Sequence, residues 1–196
     1  MGATSYHHGD LRTVMIEKGI EMINEQGANT LSLRKLAAAC GVSHAAPYSH
    51  FANKEDLFSA ISNHITDKFV TVLKKSLSGL DESPEGILSM GCAYVMFFVR
   101  NPQYFTFLFS RANIQIDFSE NPSGYEPFNL YKSTMFRLFD KICYPKELQT
   151  KTIITTWAFV HGLASVAIMS GTGSVRQWEE RVYDLLSKSY FLRNEA

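Results

Sequence analysis

The chain has 196 residues, 45% of them hydrophobic, enough to bury the core of one or two domains. Lysine and arginine together number 19 and aspartate and glutamate 19, so the formal net charge is zero, which argues against a protein that coats nucleic acid unselectively. Cys40, Cys92 and Cys143 are far apart, odd in number and without CxxC spacing, and the polar stretch before Asp10 has no signal-peptide pattern, so the expectation is a soluble, cytoplasmic protein with reduced thiols and no disulfide frame or zinc site.

Taking the chain in order, Leu11, Val14, Met15, Gly19, Met22 and Ile23 keep to one face of a helix that Gly27 ends. His7, His8 and Arg12 at its front are either a basic arm or a frayed terminus. Adjacent histidines do not share a face and have no acid or cysteine partner in view, so no metal pair is expected.

Ser32 is placed to cap a second helix, in which Leu33, Leu36, Ala37 and Cys40 recur at helical spacing. Gly41 follows where a left-handed residue can end that helix, Val42 can plug the turn, and the small Ala37 lets another helix cross closely. Ser43 then reads as the next N-cap. The segment HAAPYSHF sets His44, Ala45, Tyr48 and Ser49 where a recognition helix would face the major groove, with Phe51 as its core anchor. Helix N-termini at Ser32 and Ser43 suit phosphate oxygens, and Tyr48, His50 and Lys54 add donors. Pro47 removes an early helical N–H, so the opening turn is expected to be irregular.

The spacing of Gly41-Val42-Ser43, Tyr48, His50-Phe51, Lys54-Glu55 and Leu57, with Tyr6 to Arg12 upstream, resembles the N-terminal domain of the tetracycline-repressor (TetR) family of bacterial transcription regulators. The resemblance implies base contacts by Arg34, His44, Ala45 and Ser49, and phosphate contacts by Ser32, Ser43, Tyr48, His50 and Lys54. It weakens from about Lys74 onward. Against it stands the charge of residues 1 to 60, five Lys/Arg (Arg12, Lys18, Arg34, Lys35, Lys54) to six acids (Asp10, Glu17, Glu21, Glu25, Glu55, Asp56). The acids are therefore expected on the rear of the first helix, with a modest salt dependence of DNA binding.

From Asn53 one long helix runs to Lys74-Lys75, its Glu55-Asp56 start and lysine end matching the helix dipole. Ser78 to Gly86 is rich in turn residues and reads as a loop. After Pro84 come the aromatic runs 93–99 and 102–109, broken at Asn101-Pro102 and each too short to span a bilayer. They hold more rings than one core stripe needs, so some are expected to line an apolar pocket. Ser110 to Glu126 is a polar loop, and Pro127 to Cys143 returns to helical spacing. Ile153 to Gly171 reads as a buried helix too polar for a membrane span. Its small-residue stripe, Ala158, Gly162, Ser165 and Met169, together with an amphipathic helix over Val175 to Arg193 that carries Trp178, Val182 and Leu185, is expected to form a four-helix dimer interface. Trp157, His161 and Gly162 resemble the C-terminal signature of the WHG type of TetR protein.

The expectation is thus an all-α protein of about nine helices. The family resemblance sets the boundary inside the long helix, giving a DNA-binding domain over 1–58 and an effector-binding and dimerisation domain over 59–196. The effector set is Tyr94, Phe97, Phe98, Tyr104, Phe105, Trp157 and His161, suited to a small apolar or aromatic molecule. The partners are a palindromic double-stranded operator and a second copy of the chain, with no membrane, no cofactor, no metal and no catalytic set. The rival expectation is a small-molecule-binding helical protein or enzyme that keeps a helix-turn-helix without using it.

Overall fold

The computed structural model describes residues 8–80, 82–111, 114–119 and 121–188, the side chains of 8–10 and 111 excepted. Within them lie eight α-helices and two short 3₁₀ helices, with no strand. Of the basic arm, His7 and the side chain of His8 lie outside the described residues. The chain divides into two compact units, Met1–Ile65 and Thr66–Ala196, the division falling inside the third α-helix.

In the first unit α1 (His8–Gln26) ends at Gly27, which takes φ 81°. Ser32 caps α2 (Leu33–Ala39) by accepting from the Lys35 N–H at 3.2 Å. Gly41, at φ 67°, closes α2 with its N–H on the Ala38 carbonyl (3.2 Å) and the Val42 N–H on the Ala37 carbonyl (3.0 Å), a Schellman arrangement that only a left-handed residue permits without strain.

The expected recognition helix is not α-helical. A turn at 43–45 leads into the 3₁₀ helix Ala46–Ser49, whose N-cap is Ala45 and not Ser43. Pro47 has no N–H to return to the Ser43 carbonyl, which instead accepts from Ala46 at 3.0 Å, the shorter repeat of a 3₁₀ turn. Asn53 then caps α3 (Lys54–Ser76) through the Asp56 N–H at 2.9 Å, and the Asp56 carboxylate accepts from the Ala52 N–H at 2.9 Å. Met15, Leu36, Leu57 and Ile61 are fully buried at the centre, with Ile16 and Ile20 joining the expected face of α1. A Cβ on Gly19 would sit 3.1 Å from Ile61 Cδ1, so α1 and α3 cross where α1 has no side chain.

The second unit is built around α4 (Pro84–Arg100), packed by α5 (Pro102–Arg111), α6 (Glu126–Lys141), α7 (Lys146–Ser170) and α8 (Val175–Ser187). The turn-rich loop is shorter than expected, because Ser83 caps the Gly86 N–H at 3.0 Å and Pro84 occupies the first helical position, where its missing N–H costs nothing. Phe69 of α3 stacks on α4 through Phe97 and Phe98, each at 4.8 Å between ring centres. The polar loop before α6 is pinned by Lys132, a buried lysine whose Nζ donates to the carbonyls of Asp117 (2.8 Å), Ser119 (2.6 Å) and Asn121 (2.5 Å).

Two expectations for α7 are corrected. It starts at Lys146, well before Ile153, and an 18-residue stretch of it, with a mean hydropathy of 1.6, is long and apolar enough to cross a membrane by length and composition only, a test that core helices also pass. Nor is it buried all round: Ile153, Thr156, Trp157, Val160, Ala164 and Ala167 face the core, whereas Val166 and Met169 are 59% and 81% exposed. Ser174 and Gln177 close a reciprocal capping box at the start of α8, and the part of the expected helix beyond Lys188 lies outside the described residues.

Candidate functional site

Between the Schellman turn and α3 the chain displays most of the expected DNA-contacting residues. Buried Pro47 and Phe51 anchor the segment, while Ser43, His44, Ala45, Ser49 and Tyr48 are exposed, Tyr48 by 60%. In a 3₁₀ turn residues three apart eclipse, so the backbone geometry groups Ala45 with Tyr48. On α2, Arg34 and Lys35 are also exposed.

Three expected contacts carry structural duties of their own. The Ser32 hydroxyl is engaged as the α2 cap. Lys54 Nζ donates to the Asn29 carbonyl at 3.2 Å and lies 5.2 Å from the centre of the Phe58 ring. His50 is half-buried, its ring 6.3 Å from that of Phe51. Three of the acids of this unit have internal partners: Glu21 with Lys18 at 2.7 Å, Glu17 with His64 Nε2 at 2.8 Å, and Asp56 with the Ala52 N–H. No carboxylate lies among residues 43–50.

The second unit holds a small apolar pocket with a cavity volume of about 20 Å³, which opens to solvent on one side. Leu73, Ile87, Met90 and Val160 form its aliphatic wall, and Gly91, Tyr94, Tyr131, Thr156 and Trp157 complete it. No charged side chain takes part. Gly91 belongs here because a Cβ on it would lie 3.3 Å from Leu186 Cδ1 and 3.5 Å from Val160 Cγ2, at the close approach of α4 to α7 and α8.

Of the expected effector residues, Tyr94 and Trp157 line this pocket and the other five do not. Phe97 and Phe98 pack on Phe69, and Tyr104 is buried 5.8 Å from Phe97. Phe105 lies between Phe98 (5.2 Å) and His161 (5.1 Å). His161 is enclosed by Phe105 and Phe109, the latter at 4.6 Å, and its Nδ1 is 2.8 Å from the Tyr94 hydroxyl. Burial pulls the His161 pKa down and pushes that of Tyr94 well up, so the bond joins a neutral phenol and a neutral ring at neutral pH. Sequence reasoning missed Leu73, Ile87, Met90, Gly91, Tyr131, Thr156 and Val160. Aliphatic residues give no sign of whether they face a cavity or the core, but a hydroxyl inside the apolar run 153–160 was a usable signal.

The outward face of α7 and α8 carries part of the expected interface. Ala158 is exposed, Gly162 and Ser165 are half-buried, Met169 is 81% exposed and Leu185 46%. A Cβ on Gly162 would meet nothing within 4 Å. Trp178 and Val182, also expected at the interface, are 8% and 0% exposed within their own unit, and the Trp178 indole N–H donates to the Thr172 carbonyl at 2.8 Å. Facing inward, they brace α8 within the second unit.

The family model described as bacterial regulatory proteins, tetR family, matches residues 15–61, and that described as tetracyclin repressor-like, C-terminal domain, matches residues 87–188. No curated protein matches the chain. Solved structures of the same fold include a transcriptional regulator of the TetR/AcrR family from Thermobifida fusca YX-ER1, 24% identical over 92% of this chain and 98% of that one, with a TM-score of 0.65. Another is the fatty acid degradation regulator FadR from Bacillus halodurans, 15% identical over 92% and 96%, with a TM-score of 0.69. A third, the TetR family transcriptional regulator PfmR from Thermus thermophilus, is 17% identical over 90% and 98%, with a TM-score of 0.64.

Proposed function

The chain belongs to the tetR family of bacterial regulatory proteins and is a DNA-binding regulator, and from that premise we propose a cytoplasmic repressor that holds a palindromic operator as a homodimer and is released by an uncharged, largely apolar small molecule. The division of labour follows the domains expected from the sequence, 1–58 for DNA and 59–196 for effector and partner. Base contacts fall to Arg34, His44, Ala45 and Ser49, all exposed, with Tyr48 and Lys54 on phosphates. The exposed face of α7 and α8 around Gly162, Met169 and Leu185 serves as the two-fold contact.

The observation that carries this reading is that one helix supplies both sites: α3 begins at Lys54, beside the exposed 43–50 segment in sequence, and contributes Leu73 to the apolar pocket. A ligand that binds the DNA-incompetent state better than the competent one shifts the balance between them, and a coupling of about 1–3 kcal/mol gives a 5- to 150-fold loss of operator affinity. Selection of bound fragments from random DNA, followed by sequencing, tests the reading. A symmetric site bound in a salt-dependent way is expected, whereas no salt-dependent binding to any duplex would overturn it in favour of a ligand-binding helical protein or enzyme.

A further inference from the structure

We infer that Thr156 selects the ligand of the pocket, and that this ligand is an uncharged, mainly apolar molecule bearing a hydroxyl or carbonyl group. The inference rests on the reading of the pocket as the effector site. Its wall holds three hydroxyls, and two of them are occupied: Tyr94 OH by His161 Nδ1 at 2.8 Å, and Tyr131 OH by the Ile153 carbonyl at 3.1 Å. The third, Thr156 Oγ1, is buried in a residue only 5% exposed and makes no hydrogen bond among the described residues.

The helix does not force this. Thr155, next in the chain, returns its hydroxyl to the Lys151 carbonyl at 2.8 Å, the usual resort of a threonine inside a helix. Thr156 makes no such bond; the Tyr131 hydroxyl beside it gives its proton to the Ile153 carbonyl and turns only its acceptor side toward Thr156, so the Thr156 oxygen itself receives no donor. A buried hydroxyl without a partner disfavours the empty state, and a ligand group that reaches it removes that penalty. Discrimination follows, because a site built around one polar group rejects the analogue that lacks it far more strongly than it rejects a missing methylene. A carboxylate or ammonium would meet no counter-charge on this wall and would have to be desolvated unpaired.

The test is calorimetric titration of the full chain and of Thr156→Val with naphthalene, 2-naphthol and 2-naphthoate, probes that share one body and differ in one group. The unaltered chain is expected to prefer 2-naphthol to naphthalene by about tenfold and to leave 2-naphthoate unbound, consistent with the worth of one hydrogen bond. In Thr156→Val the preference should fall to about one, and the unliganded variant should melt no lower than the parent. Thr156→Ser, which keeps the hydroxyl, should retain the preference and so guards against a loss caused by misfolding. An unchanged preference in a folded Thr156→Val protein, or a clearly lower melting temperature showing that the hydroxyl is already paired, would overturn the role of Thr156 while leaving the pocket reading intact. If neither naphthalene nor 2-naphthol binds any of the proteins, the pocket reading fails and this inference with it.

Discussion

The Tyr94 hydroxyl and His161 Nδ1 meet at 2.8 Å across α4 and α7, from positions 67 residues apart in sequence. The pair sits at the back of the pocket wall, where Tyr94 also stands edge-on to Trp157 with ring centres 5.3 Å apart. Two residues that both suggest ligand contacts thus engage each other, and the phenol that lines the pocket is held in one orientation.

Stability should fall with acid because of this pair. Burial lowers the folded His161 pKa beneath its ordinary value of 6.5, so the unfolded chain takes up the proton first. The contribution is complete above that ordinary value and is lost as pH drops through it and then through the folded pKa. Denaturant melts between about pH 7.5 and pH 5.5 should show a decline that His161→Gln flattens relative to the parent. Tyr94→Phe, which leaves Nδ1 without its partner, should cost about 1 kcal/mol at neutral pH. An identical pH profile for His161→Gln would remove His161 as the cause.

Lys132 should prove structural rather than ligand-binding. Its ammonium is buried against three backbone carbonyls, so Lys132→Met leaves acceptors at Asp117, Ser119 and Asn121 without a donor. A loss of about 1–3 kcal/mol is expected from one such group alone. Hydrogen exchange across 114–119 and 121–125 should rise well beyond that in the helices, and unchanged exchange there would refute the pinning.

On DNA, Tyr48→Phe and Lys54→Ala should weaken all sequences alike, and Lys54→Ala should lower the salt slope by about one. Arg34→Ala and His44→Ala should instead change sequence preference, as expected of base contacts. Binding titrations at several salt concentrations separate these outcomes. If Lys54→Ala leaves affinity and slope untouched, its contact with the Asn29 carbonyl at 3.2 Å is its whole role.

Self-association can be tested at Gly162, where a Cβ meets nothing within 4 Å in the single chain. Gly162→Leu should therefore fold, with an unchanged helical circular dichroism spectrum, yet sediment as a monomer and lose operator binding. A dimeric, well-folded variant would take α7 out of the interface.

What the sequence determined unaided was local. Ser32, Gly41, Asn53 and the Asn101-Pro102 break set helix ends because caps, left-handed residues and prolines act on backbone groups within a few positions. The motif spacing that points to the family lies in the same short stretch, and both survive in the folded chain. Pro47 was legible as a disturbance, but the choice of a 3₁₀ turn over an irregular α-helix depended on which N–H the Ser43 carbonyl could reach. The pocket was not legible in this way. Tyr94 and Phe98 lie one helical turn apart with similar hydrophobicity, yet Tyr94 lines the cavity and Phe98 is fully enclosed by Phe69, Phe105 and Phe109. Trp178 and Leu185, seven residues apart, lie on nearly the same side of one amphipathic helix, yet Trp178 is buried and Leu185 is 46% exposed, because what each meets along the length of α8 is set by its neighbours. Such choices belong to tertiary packing, because apolar burial has no direction of its own and is resolved only when every helix has found its neighbours.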